Sequence, residues 1–190
     1  MKHLLKAPIS KEQVLEFKLN DIVYLSGKVF SIRDQAMKRI LDEEKAIHEL
    51  EGAMIYNCGP LARKNGQKWD LLSAGPTTSS RMNDLAVEFI RKFKVHAIIG
   101  KGGMSTKVLD AMKGKCVYLS AVGGSGAISA NQLKILDVEW LDLGMPEAFW
   151  KLDANNFGPL IVTMDAHGNS LYDKNDLEVE ANLLKVLALQ

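Results

Sequence analysis

The sequence predicts a single-domain, layered α/β fold with several parallel strands, and three observations carry that expectation. Short apolar runs ended by glycine or proline recur along the chain: AMIYNCGP, LLSAGP, HAIIGKGG, CVYLSAVGG and PLIVTMDAHG. Helical patterns of about ten residues separate them, the alternation expected of strand–helix–strand units. A hydrophobic fraction of 47% with 25% charged residues over 190 residues is that of a globular chain with one substantial core. In such folds functional residues collect in loops at the carboxyl ends of strands.

The elements follow in order. Residues 1–22 read as an N-terminal arm or edge segment, and residues 23–190 as the working domain. DIVYLSGKVFSI alternates and is rich in β-branched residues, so it predicts a hairpin or a strand bent at Ser26-Gly27. From Arg33 to Leu50 the period turns helical. Ala36, Ile40, Ile47 and Leu50 share one face, and Asp42, Glu43, Glu44 and Lys45 form a solvated face opposite. Leu85, Phe89 and Phe93 mark a second helix. Val108, Leu109 and Met112 mark a third, capped by Ser105 or Thr106. VEANLLKVLAL predicts a C-terminal helix.

Totals exclude several classes of function. A net charge of +1, from 24 basic and 23 acidic residues, leaves no electrostatic footprint for nucleic acid or an anionic membrane. No apolar run approaches the ~20 residues of a membrane span, and MKHLLKAPISKEQVLEF lacks a signal peptide's apolar stretch. A cytoplasmic location is therefore expected. Cys58 and Cys116 are far apart, lack a CxxC partner and sit in apolar runs, so they read as buried, inert thiols. Two cysteines also fall short of the ligand set of an iron–sulfur cluster.

Three glycine-rich loops are candidates for chemistry. In GPTTSSRM, one of the hydroxyls of Thr77, Thr78, Ser79 and Ser80 is expected to cap the helix that follows. Arg81, in the first turn of that helix, opposes the helix dipole, which suggests a carboxylate-binding purpose; a plain capping loop with a surface arginine fits equally well. In IIGKGGMS, Lys101 among glycines suits either a ligand approached by backbone or a tight strand-to-helix turn. No GxxxxGK[ST] is present, which excludes a phosphate loop of the nucleoside-triphosphatase kind. In AVGGSGAISA, the spacing of Gly123, Gly124 and Gly126 departs from a dinucleotide fingerprint, and backbone packing around a neighbouring site is the better reading. His3, His48, His96 and His167 stand in no catalytic pattern, although His167 follows an apolar strand. Trp140, Phe149 and Trp150 read as core or interface packing, and the Leu141–Trp150 run as a possible interface.

Taken together and in order, SGKVFSIRDQAMKRI, SAGPTTSSRMND, IIGKGGMS and AVGG resemble the β subunit of class I fumarate hydratases and L-tartrate dehydratases, over about residues 20 to 165. The resemblance implies a swivelling β/β/α domain that closes over a [4Fe–4S] cluster ligated by the α subunit, in a hetero-oligomer. It implies reversible hydration of fumarate to (S)-malate, or dehydration of L-tartrate. It implies Thr77 as the catalytic base, with Arg33, Arg81 and Lys101 binding the dicarboxylate, and no metal ligand in this chain. The segment RDQAMKR departs from the family pattern, with Met37 where a histidine often stands. A non-catalytic anion-binding or assembly domain is the rival reading from another class.

Overall fold

The computed structural model describes residues 1–43 and 47–187. The strands are β1 (Lys2–Lys6), β2 (Ile22–Ser31), β3 (Met54–Tyr56), β4 (Leu61–Asn65), β5 (Lys68–Ser73), β6 (Ala97–Gly100), β7 (Val117–Ser120), β8 (Leu133–Glu139) and β9 (Phe149–Met164). The helices are α1 (Lys11–Glu16), α2 (Asp34–Glu43), α3 (Ile47–Leu50), α4 (Asn83–Phe93), α5 (Thr106–Met112), α6 (Gly126–Gln132) and α7 (Leu171–Leu187).

Seven strands form one mixed sheet in the order β1-β2-β3-β6-β7-β9-β8, in which β1, β2, β3, β6 and β7 are parallel. Strand β9 runs antiparallel to β7 and β8, and it also pairs with β2 from Ile22↔Ile161 to Ser31↔Trp150. That second pairing closes β2, β3, β6, β7 and β9 into a ring, so the sheet is partly a barrel. The bend expected at Ser26-Gly27 is real: Gly27 has φ +98°, and the β2–β9 register shifts on either side of Leu25.

Residue alternation along the central strands explains both the core and the uninterrupted apolar runs. Met54, Tyr56, Ala97, Ile99, Val117 and Leu119 face the ring interior with Trp150, Leu152 and Phe157. Ile55, Ile98 and Tyr118 point the other way, onto α2, α4 and α5. Strands buried on both faces have no polar side to show, which is why they read as continuous hydrophobic runs. On the helical side Ile40, Phe89, Phe93, Val108 and Met112 are all buried, each worth about 1.5–3 kcal/mol of transfer free energy.

The expected helix over Arg33–Leu50 is two helices, α2 and α3. Glu44 and Lys45 of its charged face lie outside the described residues, as do the side chains of Ile47 and His48. Phe149 and Trp150 belong to the core, not to an exposed interface, because β9 already begins at Phe149.

Residues 2–6 form an edge strand held by Asp21, which accepts from the Met1 ammonium, His3 Nε2 and the Lys18 N–H. Burial opposes ionisation of Asp21, but these donors outweigh it and hold its carboxyl down at about 2. A carboxyl whose pKa is lowered on folding stabilises the fold above the ordinary carboxylate range, and that contribution is lost as pH falls toward 2. Thermal melts of native and Asp21→Asn protein should therefore differ at pH 6, with the native melting higher, and converge between pH 4 and pH 2. A difference that persists unchanged at pH 2 would contradict this.

Candidate functional site

Because β2, β3, β6 and β7 are parallel, their carboxyl ends lie on one edge of the sheet. Ile32-Arg33 follows β2, Asn57-Cys58 follows β3, Lys101 follows β6 and Ala121 follows β7. The loop carrying Thr77 arrives from β5, which is not a strand of that sheet. It pairs with β4 in a separate hairpin turned at Gly66-Gln67, where Gly66 has φ +62°. A glycine at the first position of a two-residue loop was the available signal for this hairpin. From β5 the chain crosses the ends of β3 and β6: Pro76 bridges to Cys58, and Thr78 bridges to Lys101. The Thr77 N–H donates to Asn57 O (2.8 Å), the Lys101 N–H donates to Thr77 O (3.3 Å), and the Ser79 N–H donates to Lys101 O (3.1 Å).

No hydroxyl of this loop caps a helix, which corrects the sequence expectation. Residues 79–82 form a short 3-10 turn, α4 starts only at Asn83, and neither start carries a side-chain cap. The Ser79 hydroxyl is used differently. Tyr118 donates to Ser79 Oγ (2.9 Å), Ser79 donates to Asn57 Oδ1 (2.9 Å), and Asn57 Nδ2 donates to Ile32 O (3.1 Å). All three side chains are fully buried. Burial raises the Tyr118 pKa far above the ordinary phenol, so it remains a donor. Arg81 lies at the end of the 3-10 turn and ahead of α4, and Asp84 occupies the first turn of that helix. Arg81 therefore precedes the helix and does not lie in its first turn as the sequence suggested.

The glycines around Lys101 answer mainly to internal packing. A Cβ on Gly100 would overlap Ser79 Oγ and lie 2.9 Å from the Tyr118 hydroxyl. A Cβ on Gly103 would lie 2.6 Å from the ring of Tyr172, and Gly102 has φ +75°. Gly126 packs on Gly75, and the Ala74 N–H donates to Gly126 O, so the third glycine loop buttresses the Thr77 loop as backbone packing predicted. An apolar cleft of about 160 Å³ adjoins that loop, lined by Val122, Ile128, Gln132, Phe157 and Pro159. Its lining is mostly apolar, with Ser125, Ser129 and Gln132 as the polar side chains.

The cations differ in their surroundings. Arg33 pairs with Glu147 (2.8 Å) and lies 3.8 Å from Asp34, whose other oxygen is 3.7 Å from Arg81. Asp34 thus stands between the two arginines. Gly59 gives the Arg33 guanidinium room, since a Cβ there would lie 2.7 Å from Nη1. Burial raises the Glu147 pKa, and the nearby Asp34 charge adds to this, against lowering by the Gln35 N–H and Arg33. Arg33 Nε is buried without a hydrogen-bond partner among the described residues. The atom faces the Asp34 carboxylate at 3.8 Å, beyond hydrogen-bond reach, so its charge is partly compensated while its N–H is not accepted by any described group. Lys101 is exposed, and no carboxylate pairs with it among the described residues. Thr77 is half-buried, with its hydroxyl unengaged there. Sequence reasoning missed Asn57, Asp34 and Glu147. A polar residue ending the apolar run AMIY was a signal for Asn57; Glu147, over a hundred residues from Arg33, had none.

The donors of this chain do not fit an iron–sulfur cluster. Cys58 and Cys116 are fully buried, and burial pushes the Cys58 thiol up to about 12 and Cys116 higher still. Among the described residues no group of three or more His, Cys, Asp or Glu is arranged to hold a metal ion. No helix among them is long and apolar enough to cross a membrane. His167 sits in a turn, with its Nε2 at Leu15 O.

The family model described as Fumarase C-terminus matches residues 2–175. A putative L(+)-tartrate dehydratase subunit beta of Methanocaldococcus jannaschii is 45% identical over 188 residues, covering 95% of this chain and 96% of that protein. The L(+)-tartrate dehydratase subunit beta of Escherichia coli is 38% identical, covering 92% of this chain and 89% of its own length. A putative class I fumarate hydratase of Geobacillus stearothermophilus is 40% identical over 92% of this chain, which spans 35% of that longer protein. A match of this extent, with relatives this similar along nearly the whole chain, makes this protein a member of the Fumarase C-terminus family.

Proposed function

We propose that this chain is the β subunit of a hydro-lyase that reversibly hydrates fumarate to (S)-malate, working with an α subunit that holds a [4Fe–4S] cluster. On this reading residues 23–190 are the swivelling β/β/α domain, and residues 1–22 an arm at its edge. The observation that carries the reading is the main-chain link between Thr77 and Lys101, with Arg81 four residues after Thr77 and Arg33 on the same edge, its Nε without a hydrogen-bond partner among the described residues. Arg33, Arg81 and Lys101 bind the two carboxylates. Thr77 Oγ1 exchanges the proton on the carbon next to one of them. A hydroxyl is a weak base at neutral pH, so it works only where fixed cations stabilise its alkoxide and the carbanion-like carboxylate beside it.

L-tartrate is the second reading, favoured by relatives named L(+)-tartrate dehydratase subunit beta. Fumarate, (S)-malate and L-tartrate all present two carboxylates, and malate and tartrate differ by one hydroxyl, so the same cations serve either reaction. Anaerobic purification with the α subunit, followed by assay of fumarate, mesaconate and L-tartrate side by side, decides between them. Activity on none of the three would leave the rival reading of a non-catalytic anion-binding domain. Arg81→Lys keeps the charge but loses the two-pronged geometry. It should raise KM for the preferred dicarboxylate about tenfold or more; an unchanged KM would remove Arg81 from the site.

A further inference from the structure

Asn57 touches three segments of the candidate site at once. Its backbone N–H donates to Ile99 O (2.7 Å), in the strand that leads to Lys101. Its carbonyl accepts from Thr77 N. Its side chain donates to the carbonyl of Ile32, the residue before Arg33, and accepts from Ser79, two residues after Thr77. The direction of the chain is fixed chemically. A carbonyl can only accept, so Nδ2 must face Ile32; Oδ1 must then face Ser79, which in turn accepts from Tyr118. Every member is buried, so none can exchange its partner for water without cost. Among the described residues no side-chain hydrogen bond or ion pair joins Arg33 to Thr77 directly.

We propose that Asn57, through Ser79 and Ile32, is a positioning residue that sets Arg33 and the Thr77 loop at the spacing a dicarboxylate requires. This rests on the proposed hydro-lyase reading. Asn57 does not touch the substrate. A side chain too short to span Ile32 and Ser79, such as serine, releases one side of the link. Misplacement of reacting groups by about 1 Å costs on the order of a hundredfold in rate.

The test uses the complex with the α subunit, with fumarate and L-tartrate as probes. Asn57→Ser should lower kcat/KM about ten- to a hundredfold in enzyme that is still folded and assembled. Ser79→Ala should do the same to a lesser degree, and the double variant should be no worse than Asn57→Ser within about threefold, because both cut one chain. A residue that only supports the fold would lower the melting temperature and leave kcat and KM of the folded fraction unchanged. That result overturns the proposal. If Asn57→Ser fails to assemble, Ser79→Ala and Tyr118→Phe decide by the same criterion. Thr77→Ala and Arg81→Lys are measured alongside. If they leave turnover intact, the hydro-lyase site itself is wrong; if they abolish it while the Asn57 chain variants are kinetically native, only the positioning role fails.

Discussion

Thr77→Ala in the assembled complex is expected to lower kcat by about 10²–10⁴-fold, the range for loss of a positioned acid–base group, or about 3–5 kcal/mol of barrier. The fold should not register the change. Both main-chain bonds of Thr77, to Asn57 and to Lys101, are made by atoms that alanine also has, and the hydroxyl has no hydrogen-bond partner among the described residues. Melting temperature should therefore stay near native while turnover collapses, and Thr77→Ser should restore much of the rate. Turnover within about tenfold of native in Thr77→Ala would reject Thr77 as the base.

Gly100→Ala is expected to damage both stability and activity. The added methyl would overlap Ser79 Oγ and crowd the Tyr118 hydroxyl, and neither group is the free end of a long side chain. Relief requires Ser79 to move, which breaks its bonds to Asn57 and Tyr118 and drags the Thr77 loop off β6. Overpacking of this kind costs about 1–3 kcal/mol, which for a chain of this size lowers the melting temperature by about 2–4 °C per kcal/mol. Rate should fall with it. Gly123→Ala is the matched control: a Cβ there meets nothing within 4 Å, so its effect should stay within about 0.5 kcal/mol. Equal melting temperatures for the two variants would show that the packing around Gly100 is looser than described.

The strands β3, β6 and β7 were legible because burial on both faces leaves an apolar run bounded by glycine, and α4 and α5 because their buried positions recur at helical spacing. The Thr77 loop and Lys101 were legible as a pair through their motifs. What sequence could not supply was the return of β9 to β2. It depends on pairing between residues more than a hundred positions apart, and DANNFGP gives no alternation to announce a strand. The hydroxyls of GPTTSS misled for a related reason. A serine before a helix is a cap by default, and only the approach of Asn57 and Tyr118 from other strands gives Ser79 better partners.

The closure of β2 by β9 also has a kinetic consequence. Strand β2 leads directly to Arg33, yet its longest partner is β9, near the far end of the chain. During synthesis the ribosome would emit the Thr77 and Lys101 loops well before the strand that completes the ring. Pairings this distant in sequence are slow to form, because loop-closure entropy is lost before the contacts repay it. The nascent chain would therefore carry β2 with an open edge until Ile161 has emerged, a period in which chaperone binding or strand-mediated aggregation competes with folding.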